Sequence, residues 1–385
     1  MENKKGNLAE VAQVFFKLGC IAFGGPAAHV AMMEEELITK RKWMSRQHFL
    51  DLMGATNLIP GPNSTEMTMH CGHERAGVPG LFVAGICFIF PAVVLTGIFA
   101  SLYVEYGELP AAAPFIFGIK PAVLAIIASA IYKLSKKALK SRALGILGFI
   151  VLVVSLMGVN EILALLLAGV FGTLFFTAKK EWLQSPKSFF PILFLQTGGA
   201  LTAQITATTI FWTFLKVGAI LYGSGYVLFA YLDAELVMNG LLSRQELIDA
   251  IAAGQFTPGP VLSTATFIGY QMGGWAGAIA ATLGMFLPSF LFVWLLNPLV
   301  PKMRTSKPLG FFLDSVNVAA LAVMVNVLIE MGRETLFVTA SWTPDWRAWT
   351  IGLISAFLIF GVKKINAMWI VIGGAVLGYL LMLIG

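Results

Sequence analysis

Two Pro-Gly-Pro segments in apolar sequence are the residues whose types and spacing point most directly to chemistry. They are Pro60-Gly61-Pro62 and Pro258-Gly259-Pro260. Proline removes an amide donor and pushes the residue before it away from helical angles, so neither segment can continue a helix. A helix that begins after such a break presents free N–H groups and its positive dipole end, which together attract anions. The two segments therefore predict an anion site built largely by the backbone.

Side chains with hydrogen-bond donors flank both segments and extend the predicted substrate site. They are Asn57, Asn63, Ser64 and Thr65 beside the first segment, and Gln255, Thr257, Ser263 and Thr264 beside the second. Serine and threonine can also cap the helix that follows. Local capping and anion binding use the same amides, and both remain open. Four glycines complete the predicted site because they permit unwinding or close helix approach, with simple packing as the alternative: Gly24, Gly25, Gly223 and Gly225.

Three lysines stand inside apolar runs. Lys17 and Lys216 are preceded by similar residues, and Lys120 comes directly before Pro121. A lysine at the bilayer centre costs about 2.5–3.5 kcal/mol on insertion scales, so it usually faces a polar cavity or a partner. We expect Lys17 and Lys216 to contact the anion; snorkelling to the interface and a structural ion pair are the alternatives. Lys120 is either an asymmetric substrate contact or a surface anchor.

Glu66 is the one carboxylate within either segment, since the matching Thr264-Ala265 is neutral. A carboxylate beside an anion site could take up a proton as the dianion approaches, because desolvation and negative charge both favour the neutral form. The alternative is a glutamate that the dipole stabilises in the first turn of a helix. His29, His70 and His73 are other candidate proton carriers. The sequence shows no metal-ligand spacing and no nucleophile–base set, so we expect neither cofactor nor enzyme.

The composition predicts an all-α polytopic membrane protein. Of 385 residues, 58% are hydrophobic and 12% are charged, and the mean hydropathy is +0.82. A soluble domain carries about 25% charged residues. Several apolar runs reach the roughly 20 residues that a membrane helix needs. We therefore expect a multi-pass protein of the cell inner (plasma) membrane, with the lipid bilayer and not nucleic acid as its surroundings. Monomer and homodimer are both compatible with the sequence.

The chain contains an internal repeat, in which the second half matches the first. Lys17 matches Lys216, and the Pro-Gly-Pro segments match each other. Further matched landmarks are Gly72, Gly77, Gly80 and Pro91 with Gly269, Gly274, Gly277 and Pro288. Their offset drifts only from 199 to 197. We expect an N-terminal repeat over 1–180, a connector over 181–205 with a possible extra membrane crossing, and a C-terminal repeat over 206–385.

The charges between apolar runs predict that the two repeats have opposite orientations. In the first repeat the loops alternate basic and acidic, beginning with the basic stretch 40–46. In the second repeat the order begins with acidic Asp233 and Glu235. By the positive-inside rule this gives inverted topology, the usual architecture of a secondary transporter. We expect residues 49–72 to form a re-entrant hairpin with Pro60-Gly61-Pro62 near its tip. The segment 8–33 either spans the membrane or re-enters.

These landmarks resemble the chromate ion transporter family, in its two-domain long form. The resemblance covers nearly the whole chain and rests on four stretches: Phe23–His29, Asn57–Met67, Tyr222–Tyr226 and Thr257–Pro260. It implies proton-motive-force-driven export of chromate from the cytoplasm, chromate resistance, and sulfate as the natural competitor. A sulfate or other oxyanion transporter of the same fold, including an importer, and an anion channel remain alternatives.

Overall fold

The computed structural model describes residues 7–23, 25–56, 58–107, 109–181, 206–222, 225–296, 306–338, 342–362 and 365–384. Most of these residues are helical, and six of the described helices are long and apolar enough to cross a membrane. Large apolar side chains stay exposed on the outer helices, as lipid-facing residues do, among them Phe149, Phe171 and Phe357. The expected all-α polytopic membrane fold is confirmed.

The first half contains seven α-helices in the described residues: α1 (Leu8–Ile21), α2 (Pro26–Met33), α3 (Arg46–Thr56), α4 (Asn63–Tyr106), α5 (Ala113–Ala138), α6 (Arg142–Leu156) and α7 (Glu161–Glu181). The Asn7 side chain caps α1 by accepting a hydrogen bond from the N–H of Ala9 at 2.9 Å. A π-helical segment, Glu34–Lys40, follows α2. The Pro-Gly-Pro segment separates α3 from α4, as its chemistry predicts.

The described second half repeats this order: α8 (Ala207–Ile220), α9 (Leu228–Leu232), α10 (Arg244–Phe256), α11 (Thr264–Leu296), α12 (Lys307–Leu336), α13 (Trp346–Gly361) and α14 (Ala367–Ile384). Short 3-10 turns, Gly225–Val227 and Val261–Ser263, precede α9 and α11, and a π-helical segment, Asp233–Val237, follows α9. Strands β1 (Phe337–Val338) and β2 (Thr343–Pro344) pair antiparallel between α12 and α13. The predicted division at 180 and 205 stays a prediction, since most of the connector lies outside the described residues.

Helices α4 and α11 each reverse direction near one end. The backbone leaves helical angles at Ala76 and Gly77 in α4, where Gly77 has φ of 65°. A Cβ built on Gly72 would lie 2.5 Å from the Cβ of Ala84. In a straight helix these residues would stand about 18 Å apart, so the two arms of α4 run side by side. The matched landmarks Gly269, Gly274 and Gly277 make the same turn in α11.

Ion pairs show that the first part of the chain returns to the end of the bundle where it starts. Glu10, in α1, contacts Arg41 at 3.0 Å and Arg75 at 2.8 Å. Helices α1 and α2 therefore leave this end, which we call the Glu10 end, and come back to it. Helix α3 and the first arm of α4 do the same. The second arm of α4 then crosses to the other end.

The second half is arranged the same way from the opposite end. Arg244, at the start of α10, pairs with Asp233 at 3.0 Å and with Glu334, near the end of α12, at 2.7 Å. We call this the Arg244 end. Helix α5 runs back from the Arg244 end to the Glu10 end and brings Lys140 there. Helix α12 begins beside this lysine, which pairs with Asp314 at 2.6 Å. The two repeats thus run antiparallel to each other.

The centre of the molecule is the contact between the second arms of α4 and α11. Phe82 and Phe290 stack there with ring centroids 5.6 Å apart. Helix α1 lies on α4 so closely that a Cβ on Gly19 would come within 2.6 Å of the Phe88 carbonyl oxygen. Gly218 brings α8 equally close to α11. Small residues at these crossings allow the backbones to approach, as in other membrane helix pairs.

Candidate functional site

The two Pro-Gly-Pro tips are bound to the opposite halves of the molecule. The N–H of Gly61 donates to the carbonyl of Leu221 at 2.7 Å, and the N–H of Gly259 donates to the carbonyl of Ala22 at 2.8 Å. Ala22 and Leu221 are the C-cap residues of α1 and α8. Each tip therefore meets the broken end of the first helix of the other repeat. Any site at the tips belongs to both halves at once.

New helices begin at these breaks. Helix α4 starts at Asn63, directly after Pro62, and α2 starts at Pro26 after Gly25, whose φ is 80°. In the second half, a Cβ built on Gly225 would lie 3.2 Å from the side chain of Leu262, which is in the turn that precedes α11. In α4 the N–H groups of Thr65 and Glu66 already donate to the Pro62 carbonyl, at 2.8 and 3.0 Å, and the first turn carries the positive end of the helix dipole. The breaks therefore place positive helix ends next to the two tips.

His29 links α2 to the first tip. Its Nε2 lies 3.0 Å from the Ala22 carbonyl oxygen, and its Nδ1 lies 3.2 Å from Ser64 Oγ. A carbonyl can only accept, so Nε2 carries the hydrogen and, in the neutral ring, Nδ1 accepts from the Ser64 hydroxyl. Ala22 thus accepts from both His29 and Gly259. This histidine, one of the alternative proton carriers of the sequence analysis, joins the two tips through one carbonyl.

The second tip has a chain of hydroxyl groups. Thr257 donates to the Gly254 carbonyl at 3.0 Å, so at the 3.4 Å contact between Thr257 and Ser263 the serine is the donor. Ser263 in turn accepts from Thr96 of the first half at 3.1 Å. Thr264 donates to the carbonyl of Val261 at 2.8 Å, which is a bond back to its own chain and not an N-cap. The described helix starts after Pro62 and Pro260 have no side-chain cap, and anion binding by these residues stays a prediction.

Some predicted site residues keep unused donors. Thr65 Oγ1 and Gln255 Nε2 are buried without a hydrogen-bond partner in the part of the chain that the structure describes. Thr65 is fully buried, and Gln255 is 8% exposed. Buried polar groups are normally paired, so unpaired donors in this place are available to a ligand. The predicted contacts Gly24, Asn57 and Gly223 lie outside the described residues.

Glu66 is buried beside the first tip. It lies in the first turn of α4, is 0% exposed, and has no hydrogen-bond partner for either carboxylate oxygen among the described residues. The dipole of α4 is the stabilising feature that the sequence analysis named as the alternative. A proton-coupling role of Glu66 stays a prediction, for which its enclosed position is suitable.

Lys17 and Lys216 each pair with a glutamate of their own half. Lys17 Nζ lies 3.5 Å from Glu36, and Lys216 Nζ lies 2.6 Å from Glu235. The lysine side chains are 56% and 47% exposed. These contacts correspond to the ion-pair alternative of the sequence analysis. Contact of either lysine with an anion stays a prediction.

Lys120 contacts the second repeat instead of ending at the surface. Its Nζ lies 3.6 Å from Asp249 in α10, and the same carboxylate oxygen accepts a hydrogen bond from the Tyr103 hydroxyl at 2.7 Å. Asp249 is 6% exposed. The sequence analysis did not anticipate this cross-repeat pair, and contact of Lys120 with an anion stays a prediction. A lysine inside an apolar run was recognisable, but its partner, nearly 130 residues away, was not.

The equivalent helices α3 and α10 differ in burial. In α10 the buried side chains include Leu247, Ile248, Asp249, Ala250, Ile251 and Gln255, and the helix lies against α4, α5 and α14. In α3 the buried side chains among those described are Phe49, Leu52 and Thr56, and the helix lies mainly against α4. The Arg244 end is therefore closed around α10, whereas the Glu10 end leaves α3 partly exposed.

An apolar cavity of about 370 Å³ lies beside α10 at the Arg244 end. Its lining is mostly apolar, as at Phe99, Ile116 and Phe267, and it also includes Tyr103 and the acidic Asp249. Such walls offer a dianion few hydrogen-bond donors and one carboxylate, so the cavity does not suit the predicted substrate. The tips are the better candidate.

Comparison with known proteins gives matches over both halves. A family model described as "Chromate transporter" matches residues 9–173 and 208–379. A probable chromate transport protein of Synechococcus elongatus is 28% identical over 97% of this chain and 95% of its own length. The chromate transport protein of Cupriavidus metallidurans is 27% identical over 96% and 92%. An uncharacterized transporter of Bacillus subtilis is 26% identical over 45% of this chain and 89% of its own length. No solved structure matches the chain.

Proposed function

The chain belongs to the chromate transporter family, and from this premise we propose that it exports chromate from the cytoplasm, driven by the proton-motive force, and so confers chromate resistance. The observation that carries the proposal is the exchange of backbone hydrogen bonds between the two tips and the opposite repeats. It sets helix starts from both halves around one central place, the arrangement in which broken-helix transporters bind their substrates.

The anion would be held by donors and not by a fixed charge. The positive end of α4, directly after Pro62, would attract a tetrahedral dianion, and the unused Thr65 hydroxyl and Gln255 amide would supply hydrogen bonds to it. Dipole ends and neutral donors attract a doubly negative guest without the strong retention of a buried ion pair. Release on the other side of the membrane requires such moderate binding.

The charge distribution supports a definite orientation. In the described residues lysines and arginines are more numerous at the Glu10 end, which carries Arg41, Arg75, Lys136, Lys137 and Lys140, than at the Arg244 end, where Arg244 and Arg333 lie beside Asp233 and Glu334. By the positive-inside rule the Glu10 end faces the cytoplasm. The α1–α2 and α3–α4 segments are then re-entrant hairpins from the cytoplasm, and their counterparts enter from outside in the plasma membrane.

Alternating access follows from the unequal burial of α3 and α10. The structure has α10 closed against the first half by Asp249, Lys120 and Tyr103, with α3 partly exposed at the cytoplasmic end. This is the conformation in which a cytoplasmic anion would load. Because the repeats are antiparallel copies, the outward-open state would bury α3 and free α10.

Counterflow in proteoliposomes tests the proposed transport directly. Vesicles that contain the purified protein and unlabelled chromate are placed in trace radiolabelled chromate, with sulfate, molybdate or chloride as competitors. We expect transient accumulation of label above equilibrium, reduced most by the tetrahedral dianions. A channel would equilibrate the label without such accumulation, and that result would contradict a carrier mechanism. Accumulation that sulfate suppresses better than unlabelled chromate would identify sulfate as the substrate.

A further inference from the structure

Ser289 lies near Glu66 beside the first tip, and the structure has no hydrogen bond between the two side chains. Ser289 lies in the second arm of α11, is 0% exposed, and its hydroxyl has no hydrogen-bond partner among the described residues. A Cβ built on Gly61 would overlap both Ser289 Oγ and Glu66 Oε1. The carboxylate of one repeat and the hydroxyl of the other therefore face the same small space, which exists because residue 61 is glycine.

The chemistry of these two groups is complementary. An isolated ionised carboxylate is strongly unfavourable in a buried site, so Glu66 needs a proton or a donor. A serine in an apolar helix commonly bonds back to the carbonyl one turn earlier, which Ser289 does not do. A hydroxyl can accept from a protonated carboxyl and donate to an ionised one. Ser289 is thus suited to stabilise Glu66 in both protonation states.

The corresponding place at the second tip lacks both groups. The residue beside Gly259 is Ala92, whose Cβ would lie 3.0 Å from a Cβ built there. Ala92 follows Pro91 as Ser289 follows Pro288. The counterpart of Glu66 is Thr264, which is bonded to its own helix. The Glu66–Ser289 pair therefore occurs at the first tip and not at the second.

The other titratable groups near Glu66 come from three elements. Tyr222, after α8, is close enough to interact electrostatically with the carboxylate. His29 of α2 bonds to Ser64, and His70 lies one turn further along α4. Helix α8 carries Lys216, which is paired with Glu235, and α11 has no charged residue in its sequence. Tyr222 and Ser289 are therefore the groups of the second repeat near this carboxylate, and Ser289 is the one that faces the space beside Gly61.

We propose that Glu66 and Ser289 form a single proton-binding site between the two repeats, with Ser289 as the positioning residue. The inference rests on the proposed function and deepens it, since it places one coupling proton per molecule at the first tip. The proton bound by Glu66 is shared with Ser289 Oγ. When the proton leaves, the hydroxyl turns and donates to the carboxylate.

The test compares the pH profile of chromate flux in proteoliposomes for the wild type, Ser289→Ala, Ser289→Thr and Ala92→Ser. A hydrogen bond to an ionised group is stronger than one to a neutral group, so loss of the hydroxyl favours the protonated carboxyl. We expect Ser289→Ala to move the midpoint about one pH unit to the alkaline side, a tenfold change in proton affinity. The threonine variant should stay close to the wild type. Ala92→Ser, the matched control at the second tip, should leave the profile unchanged.

The outcomes separate this inference from the proposed function. If the wild type shows no flux that depends on a pH gradient, the proposed coupling fails. If the wild type is coupled but the Ser289→Ala profile superimposes on it, or if Ala92→Ser shifts it equally, the Ser289 assignment is overturned. A flux that follows a sodium gradient at fixed pH overturns the proton as the ligand. All variants are assayed with the same substrate, so protonation of chromate itself affects every pH profile equally.

Discussion

Asp249→Asn is expected to open the Arg244 end of the bundle. The substitution keeps the size of the side chain but removes the charge that holds Lys120 at 3.6 Å, while an amide oxygen can still accept from Tyr103. Asp249 lies on α10, whereas both partners belong to the first repeat. The change therefore weakens a contact between the repeats and leaves the core of each repeat intact.

The magnitude follows from the burial of the pair. Breaking a fully buried ion pair costs about 3–5 kcal/mol, and an exposed pair is worth roughly 0–1 kcal/mol. Here the aspartate side chain is 6% exposed and the lysine 19% exposed, and one hydrogen bond survives. We expect the closed Arg244 end to lose about 2 kcal/mol of stability relative to the open one. This loss changes the ratio of closed to open molecules roughly 30-fold.

Cysteine labelling measures this ratio. Ala252, on α10, is 3% exposed, and its equivalent on α3 is Gly54. With the three native cysteines replaced by alanine, Ala252→Cys reports access from outside and Gly54→Cys reports access from the cytoplasm. We expect Asp249→Asn to speed the reaction of an impermeant thiol reagent at position 252 by about tenfold or more, and to slow it at position 54.

The matched control is Asp314→Asn. Asp314 also pairs across the repeats, with Lys140 at 2.6 Å, but the two side chains are 30% and 59% exposed. It should change labelling less than threefold, because exposed pairs contribute little. Equal labelling of wild type and Asp249→Asn at both positions would refute the gating role of this aspartate.

Four further substitutions test the tips and the charges around them. Gly61→Ala should abolish transport, because φ of 142° and the contacts with Glu66 leave no room for a Cβ; normal uptake by folded protein would refute the tight packing. Glu66→Gln should keep downhill chromate exchange but lose its response to a pH gradient, and an unchanged response would remove this residue as the proton carrier. Lys17→Ala and Lys216→Ala should leave KM for chromate within about twofold if they serve only as ion pairs, and a tenfold increase would show anion contact.

Much of the fold could be predicted from the sequence because its landmarks are local. Proline and glycine fix where helices break. The sequence therefore shows the interruption before Asn63 and the glycines that pack together at the turn in α4. Loop charges predicted the antiparallel relation of the repeats.

The partners across the two repeats could not be predicted, because they depend on how the halves dock. Nothing near Gly61 in the chain indicates that its N–H bonds to Leu221. Lys120 and Asp249 are each ordinary in their own segments. Ser289 had a usable signal, since it is the polar member of a matched pair whose other member is Ala92.

Anomalous diffraction at the chromium edge, from crystals of the protein grown with chromate, would locate the bound anion. We expect one peak between the two Pro-Gly-Pro tips, beside the first turn of α4 and near Thr65. A peak beside Lys17 or Lys216, or in the apolar cavity next to α10, with none at the tips, would contradict this expectation.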